Sequence, residues 1–317
     1  MRTRFQTLLG LLGWVGCVSF TLFSISAGAQ SAVVPVQVAP NTYYVQGLSE
    51  IGSPANENFI SNAGFVIAPQ GVVVIDALGS PGLSRKFIAE IQKITSKPIT
   101  YVILTHYHAD HVYGLQSFTD LGAKVIAQTL GREYLTSDTA QQRLATSRVE
   151  LAPSVNAQTR LVSADIWIDR DQTLELSGLS FMISQVGPAH TPDDLAIFVP
   201  SEGVLFAGDL VFKGRVPYVG TADSKGWIKS LDKLLTVQPR VIVPGHSAYS
   251  QDPSKDLVFT RDYLVYLRQS MQRAAQELEE FDQAYDATDW SAYQGVPLFR
   301  AANRMNAYNV YLSIQNE

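Results

Sequence analysis

Cysteine is all but missing from this chain. Cys17 is the only one in 317 residues, and it lies in an N-terminal stretch that reads as a removable leader. The remainder then has no thiol nucleophile, no thiolate metal ligand and no disulfide. It tolerates an oxidising compartment without needing one. Histidine is nearly as scarce, with five residues, and charged residues make up only 17%. No run of like charge forms a tail. A net charge of −5 excludes the basic face of a dedicated nucleic-acid binder, so no nucleic-acid partner is expected. There is no internal repeat and no low-complexity linker. What the chain does have is core material: 46% hydrophobic residues, which excludes intrinsic disorder.

The first thirty residues are a separate object. Arg2 and Arg4 give a positive start, an apolar stretch runs from Phe5 to Ile25, and Ala27-Gly28-Ala29 closes it. That is the pattern of a secretory signal peptide cleaved after Ala29. The apolar stretch approaches the length of a membrane span. Ser19, Thr21, Ser24 and Ser26 thin it, however, and no basic residue follows as a stop. Trp14 stands where a lipoprotein signal has a small aliphatic residue, which argues against lipidation at Cys17. The expectation is a periplasmic or secreted protein beginning at Gln30, with no stable membrane span. Cleavage removes two arginines and no acid, so 22 basic residues face 29 acidic ones and the mature charge is −7.

Strands are expected at Thr42–Gln46, Asn58–Ile67 and Val72–Asp76, the last two joined by a turn at Pro69-Gln70-Gly71. A helix capped by Ser84 runs to Thr95, and the apolar strand Ile99–Leu104 follows, buried on both faces. A short helix near Leu115–Leu121 leads to a strand at Lys124–Ala127, then helices at Thr129–Ser137 and Ala140–Leu151. A second β-rich half runs through Gln172–Leu176, Leu179–Val186, Leu195–Pro200 and Gly203–Ala207. Trp227–Leu235 reads as a helix, Val241–Val243 as the last strand, and the end as helical from Asp256 to Phe281 and again from Leu298. Two β-rich halves with their own helices and no linker predict one layered α/β domain.

Three of the five histidines fall within six residues, His106-Tyr107-His108-Ala109-Asp110-His111, directly after the buried strand. In an extended segment His106 and His108 project to the same side, and a turn at Ala109 aims Asp110 and His111 elsewhere. So many polar rings would pack poorly in a core without partners. Imidazole and carboxylate donors at this spacing suit neighbouring metal ions: zinc, or iron or manganese. His190 and His246 each sit just past an expected strand, as do Asp76 and Asp209. Groups at the carboxyl ends of separate strands converge on one edge of the sheets. Taken alone, Asp76 and Asp209 also suit ordinary turns.

The set H-x-H-x-D-H, His190, Gly208-Asp209 and Gly245-His246 resembles the metallo-β-lactamase superfamily, with the match running from about residue 41 to 250. The resemblance implies an αββα four-layer sandwich, here followed by C-terminal helices over about 256–317. It also implies a ligand set. His106, His108 and His190 hold one metal; Asp110, His111 and His246 hold the second; Asp209 bridges them. Asp76 then orients a ligand histidine. Many β-lactamases of this fold carry cysteine where Asp209 stands, and Asp209 is instead the pattern of thioesterases, lactonases and similar hydrolases. His111 is followed by Val112-Tyr113-Gly114 where two glycines are common, and His190-Thr191-Pro192 by Asp193-Asp194-Leu195. With the leader and the helical end, these departures look most like periplasmic members grouped with sulfur-oxidation and quinoprotein-relay systems.

The mechanism implied is hydrolysis by water activated between two zinc ions, with Asp110 as the catalytic residue that orients the water and moves its proton. The expected partner is a small-molecule carbonyl substrate: an ester, thioester or lactone. A β-lactam is the alternative substrate, and a non-hydrolytic metal or redox accessory role in a periplasmic oxidation system is a third class. Segments Gly47–Asn58 and Lys213–Tyr218 are expected to border the site. Lys213 and Arg215 are candidates to meet an anionic substrate or plain surface charges. Tyr107 and Tyr113 are candidates for the pocket wall or for packing.

Overall fold

Alternation along Gly71–Ile75 sets the architecture. Val72 and Val74 point to one side of the strand, Val73 and Ile75 to the other, and all four are buried. A strand buried on both faces requires a layer above and a layer below. The computed structural model describes residues 32–317; the leader and its cleavage site lie outside the described residues.

The first sheet contains, in spatial order, β1 (Val36–Ala39), β2 (Thr42–Val45), β3 (Ala63–Ala68), β4 (Gly71–Ile75), β5 (Ile99–Ile103), β6 (Lys124–Gln128) and β7 (Ile166–Ile168). β1 to β4 form an antiparallel meander, and β4 to β7 run parallel. Parallel neighbours need crossovers. These hold α1 (Pro81–Ile94), α2 (Ala109–Val112), α3 (Gln116–Thr119), α4 (Thr129–Leu135) and α5 (Asp138–Glu150). The second sheet has β8 (Gln172–Leu176), β9 (Leu179–Gln185), β10 (Leu195–Val199), β11 (Val204–Phe212) and β12 (Val241–His246), with only β11 and β12 parallel. α6 (Ser224–Leu235) joins them, and α7 (Pro253–Glu277), α8 (Phe281–Ala287) and α9 (Phe299–Gln315) end the chain.

Three apolar layers separate four structural ones. Val66, Val73, Ile75 and Ile103 of the first sheet meet Ile183, Ile197, Phe206 and Val243 of the second. Val72, Val74 and Val102 face outward onto Leu83, Phe87 and Ile91 of α1 and Phe118 of α3. Leu205, Ala207 and Ile242 face outward onto Trp227, Leu264, Leu267, Val310 and Ile314. Each such side chain contributes about 1.5–3 kcal/mol by leaving water. The result is the expected αββα order, with the C-terminal helices built into the outer layer of the second sheet. Among the described residues no helix is long and apolar enough to cross a membrane.

Several boundaries differ from the sequence expectation. Ser84 is not the helix cap: Ser80 accepts from Leu83 N–H, Pro81 occupies the first turn, and Ser84 Oγ donates to the Ala77 carbonyl. Residues 58–62 are not strand, because Asn58 has φ +61° and Asn62 is tied to a distant loop. β11 does not stop at Ala207. Its pairing with β12 resumes after an irregularity at Gly208, and apolar Leu210, Val211 and Phe212 keep the strand buried. Asp209 therefore lies within a strand, and His246 is the last residue of one. Ala109 is not a simple turn but the first residue of α2, which carries Asp110 and His111. β1, β7 and α8 carried too little periodicity to be expected.

Candidate metal centre

The hexapeptide begins where β5 ends. Thr105, between β5 and His106, is fixed by Asp76: its backbone N–H donates to Oδ1 and its hydroxyl to Oδ2, both at 2.8 Å. Because that hydroxyl proton goes to the carboxylate, the His106 Nδ1–H donates to Thr105 Oγ1 at 3.0 Å. This leaves the Nε2 lone pair of His106 pointing inward. Asp76 Oδ2 also accepts from His111 Nδ1–H at 2.9 Å, which fixes a second ring the same way. The His246 Nδ1–H donates to the Ile60 carbonyl at 2.7 Å. Three rings thus present Nε2 to one place, each oriented through its other nitrogen.

Asp209 stands at that place. Its Oδ2 lies 3.4 Å from His190 Nε2, 3.2 Å from His246 Nε2 and 4.0 Å from His106 Nε2. Its Oδ1 lies 3.4 Å from His111 Nε2. Asp110 Oδ2 is 3.3 Å from His246 Nε2 and 3.5 Å from His111 Nε2. His108 Nδ1 and His190 Nε2 are 3.0 Å apart. The donors fall into two groups, His106, His108, His190 and Asp209 in one and Asp110, His111 and His246 in the other.

These residues fit metal ions. Ligands about 2.0–2.2 Å from one tetrahedral ion lie ~3.3–3.5 Å from each other, which is the spacing found here. His106 Nε2, His111 Nε2 and Asp209 Oδ1 are buried without any hydrogen-bond partner in the protein. Leaving buried polar atoms unsatisfied is costly, and an ion would satisfy all three.

The charges are sorted as such a site requires. Burial and neighbouring imidazoles hold His106 well below its ordinary pKa, and burial takes His190 down to about 3, so both are neutral. Burial acts the same way on His111 and His246, but the carboxylates around them outweigh it. Asp110, Asp76 and Asp209 raise His111 well above its usual value, and Asp209 and Asp110 push His246 up to about 9. In turn His246 and His111 overcome the burial of Asp209 and keep it ionised.

Packing holds the frame. The His190 ring lies edge-on to Trp227 at 5.3 Å, and His246 stacks on Phe212 at 5.7 Å. Asn62 clamps the loop that carries His246: its side-chain amide donates to Pro244 O and Ser247 O, both at 2.7 Å, and its N–H to Gly245 O. Thr105, Asn62, Ile60, Phe212 and Trp227 were not expected from the sequence. Thr105 alone had a local signal, its place between the buried strand and the first histidine.

All seven expected ligands, and Asp76, are brought together. The other candidates divide. Tyr107 borders the centre, edge-on to His108 at 5.3 Å and stacked on Tyr134 at 3.8 Å. Tyr113 is instead buried in the outer core of the first sheet, 3% exposed, with its hydroxyl beside Ser147. The Lys213 ammonium donates to the Tyr249 carbonyl at 2.8 Å and holds that loop. Arg215 stands with its guanidinium over the Phe212 ring at 5.4 Å.

A four-layer sandwich with histidine and aspartate donors gathered at the sheet edge defines the class of metal-dependent hydrolases. The chain belongs to the Metallo-beta-lactamase superfamily, whose sequence pattern matches residues 57–246. It is 28% identical over 236 residues to the linear primary-alkylsulfatase of Pseudomonas sp. (strain ATCC 19151), covering 63% of this chain and 44% of that one. It is 23% identical over 239 residues to the metallo-beta-lactamase type 2 of Elizabethkingia meningoseptica, covering 74% and 87%. Among solved structures, the stereoselective inverting sec-alkylsulfatase Pisa1 from Pseudomonas sp. superposes with a TM-score of 0.69 at 18% identity, covering 89% of this chain and 50% of that one. The chain thus spans less than half the length of the primary alkylsulfatase it matches.

Proposed function

We propose that this protein is an exported hydrolase that holds two metal ions and cleaves an ester, thioester or lactone at its carbonyl carbon. The observation that carries this reading is Asp209, one carboxylate beside four imidazole nitrogens drawn from both donor groups. In this reading His106, His108 and His190 hold one ion, Asp110, His111 and His246 the other, and Asp209 bridges. Nitrogen and oxygen donors without thiolate suit zinc, and also iron or manganese. When bound, a pair of such ions supplies a nucleophile from water at neutral pH and polarises the carbonyl.

The chain's own groups do the rest. Asp110 is less enclosed than its neighbours, and His111 and His246 overcome its burial to keep it ionised. It accepts the proton of the attacking water and passes it to the leaving group. Asp76 and the Ile60 carbonyl keep the rings aligned throughout. Tyr107 and Tyr134 form an aromatic wall beside His108 for the apolar part of the substrate. Export rests on the leader, and intact mass from the native host should find a chain beginning at Gln30.

Metal analysis of protein purified without added metal, followed by a panel of carboxylic esters, thioesters, lactones, dodecyl sulfate and nitrocefin, tests the reading. Two zinc ions per chain with turnover of a carbonyl ester supports it. Iron with no hydrolysis overturns it in favour of a redox accessory role. The 28% identity to an alkylsulfatase favours a sulfate ester as the second reading, and turnover confined to dodecyl sulfate would establish it. Turnover confined to nitrocefin would make the protein a β-lactamase.

A further inference from the structure

Three consecutive residues, Ile60-Ser61-Asn62, reach two of the three members of the second donor group. The Ile60 carbonyl accepts the His246 Nδ1–H at 2.7 Å. Ser61 is fully buried, and its hydroxyl donates to the Asp110 carbonyl. Asn62 is 2% exposed and uses every hydrogen it has on the segment that carries His246. Its N–H goes to Gly245 O and its amide to Pro244 O and Ser247 O, all at 2.7 Å. Ser247 stands at φ +80°, a left-handed conformation that a residue with a side chain keeps only when its surroundings impose it.

The same residues close the base of the preceding loop. Gly47 N–H donates to Asn62 Oδ1 at 3.0 Å, and Leu48 N–H to the Phe59 carbonyl at 2.8 Å. Gly47 has no room for a side chain. A Cβ there would stand 2.5 Å from the carbonyl carbon of Ile60 and 2.7 Å from the oxygen that meets His246. The loop is cross-linked within itself: Asn56 Oδ1 accepts from the N–H groups of Ser53 and Asn58, and its amide donates to the Ile51 carbonyl. The first donor group is held by other means, His106 through Thr105 and His190 against Trp227.

We propose that Gly47, Ser61 and Asn62 are positioning residues for the second ion alone, and that they couple its retention to closure of the loop 47–59. This deepens the two-ion reading above and rests on it. Opening the chain at residues 60–62 withdraws the acceptor from His246 and the hydroxyl from the Asp110 backbone together. The second ion is then held well only while the loop is closed on its base. The coupling is reciprocal: the bound ion keeps the loop shut by the same factor with which the closed loop keeps the ion. None of the three side chains needs to touch the ion or a substrate to do this.

The test uses the full mature chain and zinc, titrated by calorimetry against a competing chelator. Asn62→Ala and Gly47→Ala alter no ligand. Each should nevertheless weaken the second ion roughly 10–100-fold, the loss typical of disturbing groups around a metal, and leave the first within about twofold. Ser61→Ala, a milder change, is read the same way if neither variant folds. In parent protein, hydrogen exchange at the Leu48 amide should ignore the first equivalent of zinc. It should slow at least tenfold once free zinc exceeds the second dissociation constant a hundredfold, where mass action allows about 100-fold. Equal weakening of both ions, no weakening, or a Leu48 amide indifferent to the second equivalent would overturn the proposal. If the parent takes up only one zinc, the two-ion reading is at fault, and the positioning role is judged in metal-free protein by proton NMR. A His246 Nδ1–H resonance present in the parent and lost in Asn62→Ala supports it. Absence from the parent, or persistence in the variant, overturns it.

Discussion

Gly245 leaves the space that Asp209 fills. A Cβ at position 245 would stand 1.9 Å from Asp209 Oδ1 and 2.8 Å from the backbone of Gly208. No rotamer adjustment relieves a clash with backbone on a neighbouring parallel strand. Gly245→Ala should therefore displace Asp209 and cut both metal retention and turnover by at least ~10–100-fold, the loss typical of disturbing groups around a metal. Asp209→Asn keeps the shape but loses the charge, and should do at least as much. Metal content after gel filtration and the rate on the best substrate check both; parental values would make Asp209 a purely structural residue.

Asp76→Asn isolates the orienting role. Asp76 has φ +60°, a conformation that Asn tolerates, so the backbone is not disturbed. The amide would turn an NH2 towards donors already supplied by Thr105 and His111, or leave one of them unmet. Second-metal affinity should fall roughly 10–100-fold while the thermal midpoint of metal-free protein changes little by comparison. An affinity within twofold of parent would show that His111 needs no such support.

The two donor groups should differ in pH dependence. A metal ion must displace any proton from its ligands. His106 and His190 are neutral in the metal-free protein, whereas His111 is raised and His246 sits at about 9. Affinity for the ion bound near Asp110, His111 and His246 should climb between pH 6.5 and 8.5 by about tenfold per unit for each proton released. The other ion should change much less. Calorimetric titration at those two pH values in buffers of different ionisation enthalpy would reveal the protons; equal dependence at both sites would contradict the charge assignment.

Asp193 gives a stability prediction of opposite sign to the usual carboxylate. Burial pushes it up to about 7, with Thr191 only partly compensating. A raised folded-state value means that the folded chain keeps a proton the unfolded chain has lost. Stability attributable to this group is unaffected below about pH 4 and falls as pH rises to about 7. Asp193→Asn should raise the melting temperature of metal-free protein at pH 8 by a few degrees more than at pH 4.5. Equal shifts at the two values would show that Asp193 ionises freely.

What the sequence disclosed follows from the range of the forces involved. Strands such as Val72–Ile75 and Val241–Val243 declare themselves because a two-sided burial leaves an unbroken apolar run. The ligands declare themselves because chemistry restricts them to His and Asp, and because they cluster in the sequence or follow short apolar runs, even though Asp209 proves to lie within β11. Asn62 gave no sign, since its function is to bind backbone 182 and 185 residues away. Asn306 was equally silent, reading as one polar residue on a helix although its buried side chain bonds the backbone of Val219 and Pro217, whereas Arg215 could be named from sequence only as a candidate cation beside the site. The helix cap at Ser80 rather than Ser84 was legible in the sequence, since Ser80 stands directly before Pro81 and proline suits the first helical position. Local pattern reveals what an element is, and long-range hydrogen bonds decide what it holds.

His106 follows β5 of the first sheet and His246 ends β12 of the second, 140 residues later in the chain. A chain that has formed only its first sheet owns His106, His108, Asp110 and His111 but lacks His190, Asp209 and His246. Closing that gap costs loop entropy that only the packed second sheet returns. Any ion gripped by the whole set would therefore be a clasp across the seam between the two sheets. Its contribution should appear chiefly as a slower unfolding rate, and a chelator would act on the lifetime of the native state more than on how the first sheet assembles.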